Sequence, residues 1–222
     1  MKKFVVANWK ANKNIKETRE FLVEFNNQIL PENVVVIFCP SLPLLKAFEG
    51  VPYFLGAQDV SAFPTGPHTG EVAASQVAEM VDYALIGHSE RRTEFKESDE
   101  VIVAKIGQAF ACNIMPIVCV SNLNQVQILA DAGFKADDLL LAYEPLDAIS
   151  TGKVGKAEDV KEVLAFIKEV QTILPDVPVL YGGSVNSKNA AVYAKSSEIW
   201  GVLVGNASRE PEELFKIIQA YA

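Results

Sequence analysis

Residues 181–185 read Tyr-Gly-Gly-Ser-Val, and residues 203–207 read Leu-Val-Gly-Asn-Ala. In both stretches an apolar run breaks into small residues. Because glycine has no Cβ, the main chain can approach an anion there, and amides at a strand end or helix N-terminus carry partial positive charge. A single Gly-Gly-Ser after a strand is usually only a turn. Two such breaks late in a βα-repeating chain favour a phosphate site at the mouth of a barrel, after its seventh and eighth strands.

The rest of the chain alternates between strand and helix candidates. The predicted strands are 4–8, 34–38, 53–57, 83–87, 115–120, 139–143, 177–181 and 199–204. The predicted helices are about 15–29, 42–49, 71–80, 94–111, 123–132, 157–173, 187–195 and 211–220. Because the strands are continuous apolar runs, they are predicted to be parallel and covered on both faces. Such alternation is typical of a doubly wound sheet or a closed (β/α)8 barrel, and eight units favour the barrel, which leaves no sheet edge exposed.

Composition limits the possible functions. The 222 residues, with no linker or composition break, predict a single domain over 1–222. A net charge of −8 argues against nucleic acid or an anionic membrane as partner. No apolar run reaches a membrane span and the start does not resemble a signal peptide, so a cytoplasmic protein is expected. The widely spaced Cys39, Cys112 and Cys119 predict reduced thiols, without a disulfide framework or a zinc site.

Polar and ionisable residues follow several predicted strands: Asn8 and Lys10 the first, His88 the fourth and Glu144 the sixth. In a barrel these strand ends share one face, so the side chains are predicted to converge. A carboxylate can remove a proton from carbon, an imidazole can polarise a carbonyl, and an ammonium can stabilise negative charge. Together they suit proton abstraction next to a carbonyl in a small phosphorylated sugar.

Blocks of this sequence resemble the triosephosphate isomerase family over nearly the whole chain and in the same order. They are Val6-Ala7-Asn8-Trp9-Lys10, Ile86-Gly87-His88-Ser89-Glu90-Arg91-Arg92, Ala142-Tyr143-Glu144-Pro145 and Tyr181-Gly182-Gly183-Ser184-Val185-Asn186. The resemblance implies a (β/α)8 TIM barrel that interconverts dihydroxyacetone phosphate and glyceraldehyde 3-phosphate in glycolysis and gluconeogenesis. It makes Glu144 the base and His88 a neutral electrophile. Lys10 and Asn8 would bind the substrate oxygens, and Glu90 would pair with Lys10.

The resemblance also implies a closing lid over residues 145–156, whose Ser150 amide would reach the phosphate. Ser184, Gly205 and Asn206 would supply the remaining amides, and no metal or organic cofactor is implied. The long loop 58–70 contains Thr69-Gly70-Glu71 and resembles the family loop that inserts into a partner subunit beside Lys10, which implies a homodimer.

The sequence departs from the family pattern in two connected places. Lids of the family usually read Pro-x-Trp-Ala-Ile-Gly, but Asp147 and Ser150 stand at the Trp and Gly positions here. The usual Cys-x-Gly-Glu after the fifth strand is replaced by a segment that ends in Asn122. We hypothesise that the Asn122 amide donates to Asp147 and latches the lid, so that Asn122→Ala should lose turnover with little change in folding. The fifth βα unit is also short, which predicts a helix of two or three turns.

Other interpretations stay open at this point. Another phosphate-binding barrel, such as a phosphoribosyl-type isomerase, would share the Gly breaks but not Lys10, His88 and Glu144 together. The altered lid leaves a non-catalytic or weakly active barrel that binds a partner as the alternative function. At least one of Arg91 and Arg92 is expected to form a structural ion pair. The residues Cys119 and His68 are expected to be a small buried apolar group and a surface or interface residue, respectively.

Overall fold

The eight predicted strands form a closed parallel barrel in the computed structural model, which describes residues 2–145 and 157–222. Each strand pairs with the next in parallel, and the last pairs with the first, with Phe4 opposite Gly201. The strands are β1 Lys3–Asn8, β2 Val34–Cys39, β3 Phe54–Ala57, β4 Tyr83–Ile86, β5 Met115–Val120, β6 Leu140–Tyr143, β7 Val179–Tyr181 and β8 Gly201–Val204. The predicted (β/α)8 barrel is therefore confirmed.

Helices follow the strands around the outside of the barrel. They are α1 Ile15–Phe25, α2 Ala74–Val77, α3 Ser89–Glu94, α4 Asp99–Ala111, α5 Leu123–Asp131, α6 Val160–Ile173, α7 Ala190–Ala194 and α8 Pro211–Gln219. Short 3-10 helices occupy Leu42–Phe48, Ala136–Asp138 and Asn206–Arg209. The nine-residue α5 has about two and a half turns, which confirms the predicted helix of two or three turns. No helix in the described ranges combines the length and apolar character needed to cross a bilayer.

Three of the predicted helices differ from the structure. The segment predicted at 42–49 is a 3-10 helix that begins at Leu42 with Pro43 in its first turn, and α2 covers only four residues of the predicted 71–80. The segment predicted as one helix at 94–111 contains only α4, which begins at Asp99, because the preceding α3 ends at Glu94 and Lys96 takes a left-handed φ of 57°. Ser98 then caps α4 by accepting from the N–H of Val101.

Strand residues alternate between two apolar layers. One layer fills the barrel, and its members are Val6, Val35, Ile37, Cys39, Leu85, Ile117, Cys119, Leu140, Ala142, Leu180 and Leu203. The other layer packs between the strands and the helices, as Phe38 does against Phe21 and Phe25 of α1. The same alternation points residues 8 and 144 into the barrel mouth, because they continue the inward positions of Val6 and Ala142.

Candidate active site

The residues that follow β1, β4 and β6 meet at the carboxyl end of the barrel. His88 Nε2 lies 3.1 Å from Glu144 Oε1, and Lys10 Nζ lies 2.5 Å from Glu90 Oε1. Glu90 Oε2 is 3.6 Å from His88 Nδ1, so the two pairs lie side by side. Asn8 is buried beside them and its Oδ1 accepts from the N–H of Lys10. An acid, an imidazole and an amine that are far apart in the sequence thus share one small space.

Glu144 is almost fully buried and both of its carboxylate oxygens have partners. Oε1 faces His88, and Oε2 accepts from the N–H of Ser89 at 3.1 Å. Burial raises the pKa of Glu144, but the His88 ring and the Ser89 N–H lower it, and the net shift is downward. The carboxyl group is therefore ionised at neutral pH in this arrangement. Its basicity would rise if it left these two partners while it remained buried.

Because Gly182 has no Cβ, it leaves space for the Glu144 side chain. A Cβ at residue 182 would lie 2.8 Å from Glu144 Cγ and 3.2 Å from the carbonyl oxygen of Tyr143. Contacts of 2.8 Å do not occur at real Cβ atoms, so any larger residue must displace the glutamate.

We therefore expect Gly182→Ala to lower kcat about tenfold or more, because small misplacements of a reacting group are costly. The overpacking should cost only about 1–3 kcal/mol of folding stability. Gly107→Ala in α4 is the matched control, since its Cβ would meet no atom within 4 Å. Steady-state kinetics and thermal melting of both variants give the comparison. Equal kcat in the Gly182 and Gly107 variants would contradict the packing argument.

His88 caps the N-terminus of α3 with its ring. Its Nδ1 accepts from the N–H of Glu90 at 3.2 Å, so Nδ1 carries no proton and Nε2 is the donor. Burial lowers the pKa of His88, while the neighbouring Glu144 carboxylate raises it, and the net shift is upward. This rise depends on the contact with Glu144. The helix cap, in contrast, favours the neutral ring throughout, because the helix dipole disfavours an imidazolium there.

Lys10 is held in a strained backbone conformation. Its φ is 53°, a left-handed value that costs a non-glycine residue of order 1–3 kcal/mol. The Gln58 side chain donates to the carbonyl oxygens of both Lys10 and Cys39, which fixes this turn to the end of β2. Sequence reasoning missed Gln58, because a glutamine at the start of a loop carries no distinguishing signal.

The two Gly-containing breaks lie at the same end of the barrel. A Cβ at Gly205 would lie 3.6 Å from Lys10 Cε, so the β8 break adjoins the lysine. Asn206 begins the 3-10 helix that ends at Arg209. Its φ is not positive, so its backbone does not carry the strain of a left-handed conformation. The first amides of such a turn have no partner within it. Ser184 is half-buried after β7, and its carbonyl oxygen accepts from Asn189.

Ser150 and Asp147 lie outside the described residues, as does the proposed contact between Asp147 and Asn122. The structure shows that the Asn122 side chain also has a structural contact. Its Oδ1 caps α5 by accepting from the N–H of Gln125 at 3.1 Å.

Removing this cap in Asn122→Ala should cost about 1 kcal/mol, so we expect that variant to lose some stability as well as turnover. Asn122→Asp is the better test of the latch, because it keeps the cap oxygen and removes only the amide donor. The latch hypothesis predicts lower turnover in Asn122→Asp with an unchanged melting temperature. Unchanged turnover would contradict it.

Arg91 and Arg92 both make structural ion pairs. Arg92 pairs with Asp99 at 2.6 Å and donates to the carbonyl oxygen of Gly87. Arg91 pairs with Glu97 at 2.5 Å and with Asp59 at 3.0 Å. The expectation that at least one of these arginines forms a structural ion pair is confirmed, and both of them do.

Lys105 completes this ion-pair network, which sequence reasoning missed. Its side chain is 3% exposed, and its ammonium lies 2.7 Å from Asp59 and 2.6 Å from Glu97. The network thus holds two cations and two anions at the base of loop 58–70. A signal was present in the sequence, since Lys105 lies at helical spacing from the buried Ile102 and Ala109 of α4.

The expectation that Cys119 is a small buried group is confirmed. Cys39 and Cys119 are buried in the barrel interior, all three cysteines are free thiols, and burial raises the pKa of Cys119 well above its usual value. His68 stacks on Phe63 within loop 58–70, with ring centroids 4.4 Å apart. Among the residues that the structure describes, no cluster of three or more His, Cys, Asp or Glu side chains could hold a metal ion.

Comparisons with a protein-family model and with individual proteins point to the same family. The family model described as triosephosphate isomerase matches residues 3–221. A triosephosphate isomerase of Aquifex aeolicus is 37% identical, with the whole of both chains covered. Those of Alkaliphilus metalliredigens and Mesomycoplasma hyopneumoniae are each 35% identical, with 98% of this chain covered and 98% and 99% of the respective relatives.

Proposed function

The chain belongs to the triosephosphate isomerase family, and from that premise we propose that it interconverts dihydroxyacetone phosphate and D-glyceraldehyde 3-phosphate through Glu144, His88 and Lys10. The observation that carries these roles is the convergence of the three side chains at one barrel mouth. His88 Nε2 is 3.1 Å from Glu144, and the Lys10 stem lies against the Gly205 break. Such a group can hold a small phosphorylated carbonyl compound and move a proton within it.

In the proposed reaction the Glu144 carboxylate takes a proton from the carbon next to the substrate carbonyl. The electron pair of the broken C–H bond forms the C=C bond of an enediolate, and the carbonyl electron pair moves onto oxygen. The Nε2–H of His88 donates to that oxygen, while the Lys10 ammonium stabilises the negative charge. Glu144 then returns the proton to the neighbouring carbon. A hydroxyl proton moves between the two oxygens, so the atoms and charges balance.

The present contacts of Glu144 support a base that is activated by reorientation. While it accepts from Ser89 and faces His88, its pKa is held down. Turning toward a bound substrate would remove both partners and leave burial as the main influence on its pKa. Burial favours the protonated acid, so the carboxylate would become a stronger base at that moment.

Backbone amides at Ser184, Gly205 and Asn206 are the proposed phosphate ligands, together with Ser150, which lies outside the described residues. Their support is the position of both breaks at the carboxyl ends of β7 and β8, where residues without a bulky Cβ let the main chain approach an anion. The nearby Lys10 adds the local positive charge that a protein of net charge −8 needs to bind an anionic substrate.

We also propose a single-domain, cytoplasmic homodimer assembled through loop 58–70. A cavity of roughly 480 Å³ opens beside Lys10, and Gln58, Glu71, Arg91 and Phe95 contribute to its lining. Phe95 is 62% exposed, and an apolar ring at such a cavity suits the inserted loop of a second copy. Sedimentation equilibrium should give twice the chain mass of 24.2 kDa. A mass equal to one chain would refute the dimer and leave the reaction untouched.

The direct test of the proposed reaction is a coupled assay on the purified protein, in both directions. Saturable conversion of each triose phosphate into the other supports the isomerase. Binding of a triose phosphate without conversion would instead support the alternative, a barrel that keeps only its binding site.

A further inference from the structure

Two loops meet beside the candidate site at the carboxyl end of the barrel, one after β1 and one after β8. The Trp9 indole N–H donates to the carbonyl oxygen of Ser208 at 3.0 Å, and both residues are buried. The Ser208 hydroxyl in turn donates to the carbonyl oxygen of Gly205 at 2.7 Å. One buried hydrogen bond therefore joins the loops, and a second closes the turn after β8.

Arg209 makes another link between the same two loops. Its Nη1 donates to Asn12 Oδ1 at 2.7 Å, and its Nε donates to the carbonyl oxygen of Asn206 at a longer 3.4 Å. The Asn12 amide nitrogen donates to the carbonyl oxygen of Trp9 at 2.7 Å, so the amide group cannot turn over without losing both contacts. Arg209 therefore connects Asn206 to the loop after β1 through a fixed acceptor.

The surroundings of Arg209 offer it other partners. The residue is half-buried, and it lines an open cavity of roughly 440 Å³ together with four glutamates, Glu17, Glu20, Glu24 and Glu210. Arginine commonly pairs with carboxylates. In the described part of the chain, however, the hydrogen bonds of its side chain run to Asn12 and Asn206. The guanidinium is thus committed to the junction of the two loops.

The two sides of this junction are held differently. The Lys10 turn is fixed by Gln58, which donates to its carbonyl oxygen, and by Asn8, which accepts from its N–H. Asn206 is exposed, and Arg209 supplies a contact that connects it to the loop after β1. Loss of the Arg209 side chain should therefore loosen the turn after β8 while Lys10 stays in place.

We propose that Arg209 is a positioning residue that holds the Gly205–Asn206 turn at its distance from Lys10, and so shapes the site for the substrate phosphate. This role rests on the proposed function, in which the amides of that turn and the Lys10 ammonium bind the phosphate. A Cβ at residue 205 would lie 3.6 Å from Lys10 Cε, so a small shift of the turn changes the space between the amides and the ammonium. Arg209 acts through the backbone of the turn and does not itself touch the phosphate.

The test is Arg209→Met, which keeps most of the side-chain length and removes the donors. The dissociation constant for inorganic phosphate, measured by titration calorimetry, should rise about tenfold. KM for the triose phosphates should rise by a similar factor, with kcat within about threefold of the parent, because the lost interaction is made equally in the ground state and the transition state. Isomerisation of D-glyceraldehyde, which has no phosphate, should keep its kcat/KM. The melting temperature should fall by only a few degrees.

Arg19→Met is the matched control, because it removes the same charge from an exposed position on α1. It should leave these measurements unchanged. Asn12→Ala should also weaken phosphate binding. The double variant of Arg209→Met with Asn12→Ala should bind phosphate no more weakly than the worse single variant, because both remove one contact.

Ionic strength separates positioning from simple attraction by the Arg209 charge. At about 1 M salt the Debye length is only about 3 Å, so a purely electrostatic deficit would vanish. Positioning predicts instead that the ratio of the phosphate dissociation constants of Arg209→Met and the parent is kept at high salt.

The proposal would be overturned by phosphate affinity within about twofold of the parent, by losses that multiply in the double variant, or by a deficit that vanishes at high salt. An equal loss of D-glyceraldehyde conversion would also overturn it. A parent that binds phosphate but does not isomerise would refute only the proposed reaction, and the phosphate titration would still decide the role of Arg209. A parent that binds no phosphate would overturn this role together with the phosphate site on which it rests.

Discussion

Glu144→Gln should lower kcat for triose phosphate interconversion by about 10² to 10⁴, the usual contribution of a general base. The substituted amide keeps the size of the side chain, but it cannot accept a proton from carbon at neutral pH. Substrate binding should change far less, because the proposed phosphate amides and Lys10 remain. The measurement is steady-state kinetics in the coupled assay.

Glu24→Gln provides the control for this variant, since residue 24 is exposed on α1, remote from the barrel mouth. Its rate should equal that of the parent. Glu144→Gln with a kcat within threefold of the parent would exclude the carboxylate as the base.

The second large effect concerns stability. Lys105→Met should destabilise the fold by about 3–5 kcal/mol, because removing one member of a buried ion pair leaves its partners uncompensated. Among the cations that the structure describes, Arg91 alone would then remain paired with Asp59 and Glu97. Urea unfolding at a fixed protein concentration measures the change.

An exposed lysine gives the matched control. Lys216 lies 3.5 Å from Glu212 on the surface of α8, so Lys216→Met should change stability by less than about 1 kcal/mol. Equal destabilisation by the two substitutions would contradict the account of the buried network.

The effect of Lys105→Met should also depend on pH. Burial raises the pKa of Glu97, but hydrogen bonds from Arg91 and Lys105 lower it, and the net shift is downward from 4.5. A carboxyl group with a lowered folded pKa stabilises the fold above its unfolded pKa, and this contribution is lost as the pH falls through the folded value. The stability difference between Lys105→Met and the parent should therefore shrink as the solution is acidified below pH 4.5.

Much of the fold is readable from the sequence, because a strand covered on both faces must be apolar throughout. The eight runs were located within a few residues, and their number alone favoured closure. Helix boundaries were harder to predict. The break between α3 and α4 depends on the left-handed Lys96, and lysine has no conformational preference that would mark this position.

The residues of the candidate site could be predicted from the sequence where they follow strands, as His88 and Glu144 do. The contacts between them could not be predicted, because they depend on how the barrel closes in three dimensions. The Ser89 N–H that holds Glu144 and the Gln58 side chain that holds Lys10 are ordinary residues in the sequence.

Deuterium incorporation tests the proton-transfer mechanism most directly. In D2O, a carboxylate that takes a proton from substrate carbon can exchange it with solvent before returning it. The account predicts that the parent protein places carbon-bound deuterium in the triose phosphates, seen by proton NMR, and that Glu144→Gln does so far more slowly. Rapid interconversion with no carbon-bound deuterium, or equal deuteration by both proteins, would contradict proton transfer through Glu144.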